Sequence, residues 1–284
     1  MNKPQSEFKS VFSDIRWSDN FYKFLQGIFH LYPEDKFHHL LAEKTTQLTT
    51  DREIYEAVQK ELKSISPFLS ALTYALPALK KQKKEMANQV LSVLNGRKEI
   101  NGYLEIGSTG RYISELKKHI PVNAPVYLMN DVAPNNGITD IMERGKIGKI
   151  GTFYHLDYKP IPNQIPDSSL DLITCHIGLH HCPAELLTDF MQSIRRVLKP
   201  GGLFVVRDHD VNSEEMRVFV SLVHTVFNLG LHESWAKNES EYRSFHSVKE
   251  WVELIENAGF KDLNFRILQL NDPSLNTLLA FTKN

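Results

Sequence analysis

From about residue 102 onward, short apolar runs alternate with amphipathic segments, and this alternation constrains the fold more than any other feature of the chain. Five runs are rich in branched or aromatic residues and are bounded by Gly, Pro, Asp or Asn: Tyr103–Ile106, Val126–Met129, Thr152–Leu156, Leu170–His176 and Leu203–Arg207. Strands that alternate with helices form βαβ units over a mostly parallel sheet. The sequence therefore predicts an α/β fold, closed by a hairpin over about residues 263–282.

Two other segments, one before the first run and one after the fifth, show helical periodicity instead. Apolar residues recur at three-and-four spacing from about residue 8 to residue 95, where Asn95-Gly96 ends the last helix. A second helical stretch interrupts the chain after the fifth run. We predict a helical N-terminal region over 1–98 and an α/β domain over 99–284 with a helical insertion at 208–246. Together the two helical parts would cap the substrate site.

Composition excludes several classes of partner. Lys and Arg number 33 and Asp and Glu 34, so the net charge of −1 does not favour nucleic acid or an anionic membrane surface. The two cysteines, Cys175 and Cys182, are too few for a disulfide framework. No run of about 18 apolar residues is present for stable membrane insertion. We expect a cytoplasmic protein of unknown oligomeric state that acts on a small molecule.

Three strand ends carry residues that suit a nucleotide-like ligand. The first ends in Glu105–Gly110, where glycines allow the backbone to approach a ligand closely. The second ends at Asp131, whose carboxylate could accept both hydroxyls of a ribose, and the third ends at Asp157. Dinucleotide enzymes and enzymes of S-adenosyl ligands share these features. The strand ends alone leave both classes open.

Three later segments separate the two classes. They are Pro166–His176, Gly178–His181 and Arg195–Leu203, the last with the order Arg-Val-Leu-Lys-Pro-Gly-Gly. Over about 102–207 and the final hairpin the chain resembles the class I S-adenosylmethionine-dependent methyltransferases, within them the small-molecule branch typified by ubiquinone biosynthesis. The resemblance implies a doubly wound, mostly parallel, seven-stranded Rossmann-like sheet. It also implies methyl transfer to a small-molecule acceptor by in-line displacement.

The resemblance also implies where S-adenosylmethionine binds. The loop after the first strand would meet its amino acid end, Asp131 its ribose, Val132 and Asp157 its adenine, and His176 its methionine portion. The full set is Glu105, Gly107, Ser108, Gly110, Asp131, Val132, Asp157 and His176. The loop departs from the family, because Ser108-Thr109 is bulkier than usual and Arg111-Tyr112 stands where a third glycine is common.

Candidates for chemistry beyond cofactor binding follow the fourth and fifth strands. Asp208 and His209 lie just beyond the fifth strand, at the edge where substrate meets cofactor in open α/β sheets, so a base there could accept a proton. Substrate contacts are expected from His180, His181, Phe24 and Phe227. No metal is expected, because the histidines near Cys182 lack a second ligand group at a known spacing.

Two other classes of function remain open on the residues alone. An NAD(P)-dependent oxidoreductase would share the glycine loop and Asp131. A non-catalytic methyltransferase-like scaffold would agree with the altered loop.

Overall fold

Ten α-helices and eight β-strands occupy the residues that the structure, a computed structural model, describes: 6–29, 31–65, 76–135, 137, 144, 148–176 and 178–283. The helices are α1 (Glu7–Phe12), α2 (Ile15–Phe24), α3 (Glu34–Gln47), α4 (Asp51–Ile65), α5 (Leu76–Val93), α6 (Ile113–Leu116), α7 (Ala184–Val197), α8 (Glu214–Gly230), α9 (Trp235–Ser240) and α10 (Val248–Asn257). The strands are β1 (Ile100–Ile106), β2 (Val122–Asn130), β3 (Thr152–His155), β4 (Leu170–His176), β5 (Leu198–His209), β6 (Phe260–Asp262), β7 (Ile267–Leu268) and β8 (Asn276–Lys283).

The chain divides into two units. The helical unit consists of Met1–Lys80, Asp210–Phe245 and Leu270–Leu275, and the sheet unit of Lys81–His209, His246–Gln269 and Asn276–Asn284. The division falls earlier than the predicted boundary at 98, because Val90, Val93 and Leu94 pack in the core of the sheet unit. The insertion after β5 joins the helical unit.

The sheet unit contains one sheet with the strand order β3-β2-β1-β4-β5-β8-β6, and β7 pairs with β8. Strands β1 to β5 are parallel, whereas β8 runs antiparallel to β5 and to β6. This arrangement confirms the predicted doubly wound, mostly parallel sheet. The two-residue β7 is an eighth strand beyond the seven expected.

Alternate residues of the strands face two separate cores, as the pleat requires. Ile106, Ile173 and Phe204 pack in one core with the buried stripe of α7, which is Phe190, Met191, Ile194 and Val197. Tyr103, Leu172 and Val205 pack in the other, with the end of α5 and with α6. Helices therefore cover both faces of the sheet, and ligand contacts are left to the carboxyl ends of the parallel strands.

The helical unit has a core of its own that is rich in aromatic rings. Phe21, Phe24 and Phe219 are fully buried, and Phe24 meets the half-buried Phe227 edge to face at 5.8 Å between ring centroids. Arg243 ties α8 to α9 by donating to the Ser221 carbonyl at 3.1 Å and to Asn238 Oδ1 at 2.8 Å. Among the described residues, no helix is long and apolar enough to cross a bilayer.

Candidate functional site

The loop after β1 requires its two glycines for different reasons. Gly107 has φ +79°, and a Cβ there would meet nothing within 4 Å, so its backbone borders open space. Gly110 has φ +99°, and a Cβ there would come within 2.9 Å of Ile150 Cδ1. The Gly107 N–H donates to the Met129 carbonyl at 2.8 Å, which fixes the loop against the end of β2. Gly110 is needed for packing, whereas Gly107 leaves room for a ligand.

Ser108 occupies a position where the family usually has a smaller residue. Its hydroxyl oxygen accepts hydrogen bonds from the Gly110 N–H at 3.2 Å and the Arg111 N–H at 2.9 Å. The side chain is 5% exposed and lies within the turn. The departure from the usual loop therefore supplies acceptors for two backbone N–H groups.

Glu105 lies beneath this loop with no exposed surface. Its two carboxylate oxygens accept from the Tyr112 N–H at 3.1 Å and the Ile113 N–H at 3.0 Å, at the start of α6. The Tyr103 hydroxyl donates to the same carboxylate at 3.1 Å. A carboxylate is favoured at a helix N-terminus, where N–H groups lack intrahelical partners. Glu105 thus shapes the loop from below.

Two acids and an exposed valine follow the neighbouring strands β2 and β3. Asp131 accepts the Val132 N–H at 3.0 Å and is exposed, and Val132 is 59% exposed. Asp157 is also exposed and pairs with Lys159 Nζ at 2.9 Å. The hydrogen bond from Lys159 lowers the pKa of Asp157, so this acid is ionised at neutral pH. An exposed apolar side chain next to the Asp131 carboxylate suits a flat, hydrogen-bonding ring.

His176 ends β4 as a buried neutral imidazole. Burial and the nearby guanidinium of Arg207 lower the pKa of His176 from 6.5 to about 3. Its ring meets Tyr112 edge to face at 4.8 Å between centroids, and its Nδ1 atom has no hydrogen-bond partner among the described residues. Buried polar atoms nearly always have a partner, so an orphaned one at a ligand-binding edge points to a missing ligand.

His180 and Asp208 form a buried pair at the ends of β4 and β5. His180 lies on a single 3₁₀ turn, Leu179–His181, and its Nδ1 is 2.8 Å from Asp208 Oδ1. The carboxylate also accepts the backbone N–H groups of His180 at 3.3 Å and His209 at 2.8 Å. Burial by itself raises the pKa of Asp208, but the charge and hydrogen bond of His180, together with His209, outweigh it and lower the pKa.

The remaining predicted residues fall into two places. His181 is half-buried with its ring 4.2 Å from that of His180, and the ring of the buried His209 is 5.8 Å from that of His180. Phe24 lies in the core of the helical unit, and the half-buried Phe227 packs against it. Sequence reasoning missed Tyr103 and Tyr112, which show only as ordinary core aromatics in the pattern.

A family comparison identifies the sheet core. Residues 104–206, from β1 to β5, match the family model described as a methyltransferase domain. The match covers the parallel strands of the sheet unit, over about a third of the chain. This match favours methyl transfer over hydride transfer, and S-adenosylmethionine is the cofactor of the methyltransferase. The open side of Gly107 and the unpartnered Nδ1 of His176 fit a ligand at the expected edge.

Several solved methyltransferase structures have a similar fold. The 1,6-didemethyltoxoflavin-N1-methyltransferase of Burkholderia thailandensis, with S-adenosylhomocysteine bound, is 14% identical with a TM-score of 0.48 over 71% of this chain and 78% of its own. An S-adenosylmethionine-dependent methyltransferase from Thermotoga maritima is 17% identical, with a TM-score of 0.47 over 71% of this chain and 89% of its own. Another, from Mesorhizobium loti, is 12% identical, with a TM-score of 0.49 over 70% of this chain and 98% of its own. No curated protein sequence matches the chain. The identification rests on the family match and not on these structures.

Proposed function

We propose that the methyltransferase transfers its methyl group to a small-molecule acceptor by in-line displacement, as in the branch typified by ubiquinone biosynthesis. The pair of features at the ends of β1 and β4 carries the proposal. Ile106 pairs with Cys175 in the sheet, so Gly107 and His176 follow at adjacent strand ends. The open backbone of Gly107 and the unpartnered Nδ1 of His176 therefore border the same edge.

Each residue of the edge has a proposed contact with the cofactor. Asp131 would accept the ribose hydroxyls, Val132 would pack on the adenine ring, and Asp157 would accept the adenine amino group. His176 would line the methionine portion. When bound, S-adenosylmethionine supplies a methyl group already activated on a sulfonium. The protein then has to hold the acceptor in line with that methyl group, since alignment supplies much of the rate of such transfers.

We also propose that the helical unit selects the acceptor. The chain leaves β5 at its carboxyl end, where ligands bind in open α/β sheets, and runs directly into α8 of that unit. The half-buried Phe227 is the candidate for an aromatic contact with an acceptor. A Phe227→Leu variant should raise the KM for the acceptor and leave the Kd of S-adenosylhomocysteine unchanged. An unchanged KM would contradict this role.

Calorimetry with S-adenosylhomocysteine tests the cofactor site directly. Asp131→Ala removes charge-assisted hydrogen bonds worth about 1.5–3 kcal/mol, so the Kd should rise roughly 10- to 150-fold. Asp189→Ala is the matched control, because Asp189 is exposed on α7. NAD⁺ and NADP⁺ serve as competing ligands. Binding of either one without binding of S-adenosylhomocysteine would refute the proposed function, and equal affinity of Asp131→Ala and wild type would refute the ribose contact.

A further inference from the structure

The buried pair of His180 and Asp208 lies at the carboxyl edge of the parallel strands, and it has no part in the proposed cofactor contacts. Asp208 is 2% exposed and His180 is fully buried. The carboxylate receives three N–H groups: His180 Nδ1 at 2.8 Å, the His180 backbone at 3.3 Å and the His209 backbone at 2.8 Å. These bonds fix both the position and the orientation of the imidazole ring.

An ionised carboxylate can only accept hydrogen bonds, so it selects one tautomer of the neutral imidazole. Nδ1 must carry the proton that Asp208 accepts, and Nε2 is then the basic nitrogen. A base that is oriented by a third group in this way is the general arrangement for removing a proton from a nucleophile. Asp208 also stabilises the imidazolium that forms once Nε2 takes a proton.

His176, which is also buried at this edge, is not suited to the task. The pKa of His176 is lowered to about 3 by burial and by Arg207, so it takes up no proton near neutral pH. Asp208 and His209 are the residues that the sequence indicates for this role, and the hydrogen bonds that fix the ring of His180 on Asp208 lead us to assign the base to His180 instead.

We infer that His180 is the general base of the methyltransferase, that Asp208 is its positioning residue, and that the acceptor is a hydroxyl group. The inference rests on the proposed function. A neutral amine can attack through its lone pair before it loses a proton, whereas a hydroxyl oxygen becomes a good nucleophile only as its proton leaves. A dedicated, oriented base is thus most useful to an oxygen acceptor of the alcohol or phenol type.

The proposed step balances without any further reactant. The O–H bond of the acceptor breaks and its proton passes to Nε2 of His180. The oxygen forms the new bond to the methyl carbon as the sulfur–carbon bond breaks, and that electron pair stays on sulfur. The products are a methyl ether, S-adenosylhomocysteine and the imidazolium of His180 paired with Asp208, which then releases its proton to solvent.

Nitrogen NMR of the full chain with ¹⁵N-labelled histidine tests the pair without any acceptor. In alkaline solution, where histidine rings are neutral, the His180 signals should show a protonated Nδ1 and an unprotonated Nε2. Their absence from the spectrum of His180→Gln identifies them. Asp208→Asn should shift the tautomer toward a protonated Nε2, and the exposed His119→Gln should leave it unchanged. A wild-type His180 with its proton on Nε2 would overturn the inference.

Labelled methyl transfer tests the base and the acceptor class. Wild type is incubated with S-adenosylmethionine that carries a CD₃ group and with a small-molecule extract of the source organism, and products are read by mass spectrometry. We expect the label in a CD₃ ether, and we expect His180→Gln to lower its rate about 100-fold or more while the Kd of S-adenosylhomocysteine changes less than twofold. Label on nitrogen, or an undiminished rate in a folded His180→Gln, would overturn the inference.

The two experiments separate this inference from the proposed function. Failure to bind S-adenosylhomocysteine defeats the proposed function, and the inference that rests on it falls as well. Normal binding with the wrong His180 tautomer defeats the inference alone. Should the extract contain no acceptor, the tautomer measurement still decides whether Asp208 orients the ring. If His180→Gln fails to fold, Asp208→Asn provides the same comparison of rate with cofactor affinity.

Discussion

The buried His176 should make the sheet unit lose stability in acid, and replacing it should remove that loss. Burial and Arg207 lower the pKa of His176 from 6.5 to about 3 in the folded protein. Between these values the unfolded chain binds a proton at this position that the folded chain does not. The stability is therefore complete above pH 6.5 and falls as the pH decreases toward 3.

The size of the effect follows from the two pKa values. One pKa unit corresponds to about 1.4 kcal/mol, and the linkage relation gives a loss of about 2 kcal/mol between pH 8 and pH 5. The variant His176→Gln has no titrating group at this position and should lack that loss. Its absolute stability is not the readout, because the prediction concerns only the difference in pH dependence.

Urea unfolding at several pH values measures this difference in the sheet unit. Of the three tryptophans, only Trp251 belongs to the sheet unit, so a Trp17→Phe, Trp235→Phe background makes its fluorescence specific for that unit. The control is His119→Gln, an exposed histidine in the same unit. Equal pH dependence for His176→Gln and its parent would show that His176 is not held neutral by the fold.

Two further predictions concern other parts of the chain. Gly110→Ala should destabilise the sheet unit by about 1–3 kcal/mol, because the added Cβ meets Ile150 at a position with positive φ. Gly107→Ala should cost about 1–2 kcal/mol of stability and should also weaken S-adenosylhomocysteine binding at least tenfold. Comparable effects of the two variants on stability and on binding would contradict the different roles of the two glycines. Arg243→Met should lower the stability of the helical unit by about 1–2 kcal/mol, because the partly exposed Glu241 loses the guanidinium 2.6 Å away and keeps the Asn228 amide as a donor. Hydrogen exchange should then show that backbone amides in α8 and α9 lose protection while those in β1 and β4 keep it. An equal loss of protection in all four elements would contradict the view that the two units unfold separately.

The sheet was predictable because its central strands β1, β4 and β5 are buried on both faces. Such strands appear as continuous apolar runs, and four of the five predicted runs lie entirely inside observed strands; Thr152–Leu156 extends one residue past β3. Their ends were less predictable. β5 extends beyond both ends of the predicted run Leu203–Arg207, because Leu198 pairs with Leu170 of β4 and His209 pairs with Asn276 of β8. Pairing of that kind is a tertiary contact, so the local pattern does not contain it.

The site was predictable in its positions but not in its contacts. Parallel strands end at one edge, so Gly107, Asp131 and His176 could be placed there from the strands alone. Which carboxylate meets which donor depends on loop conformation. The contacts of Glu105 with the first N–H groups of α6, for example, are not visible in the sequence.

Two of the buried histidines of this edge, His176 and His180, show how the environment of a residue decides what it can do. His176 has a guanidinium nearby and an orphaned Nδ1, so it is held neutral. His180 has the Asp208 carboxylate on Nδ1, which fixes its ring and selects the tautomer with the proton on Nδ1. His176 ends β4 and His180 follows shortly after it, so the sequence places both at the same strand end. On the neighbouring β5, Arg207 is near His176 and Asp208 is bonded to His180, and on this difference we propose a binding role for His176 and a role as proton acceptor for His180. Replacing Arg207 with Met should therefore raise the pKa of His176 only in part, because burial is its larger cause, and should leave the tautomer of His180 unchanged. A histidine NMR spectrum of the folded variant in which His180 changes its tautomer would refute this account.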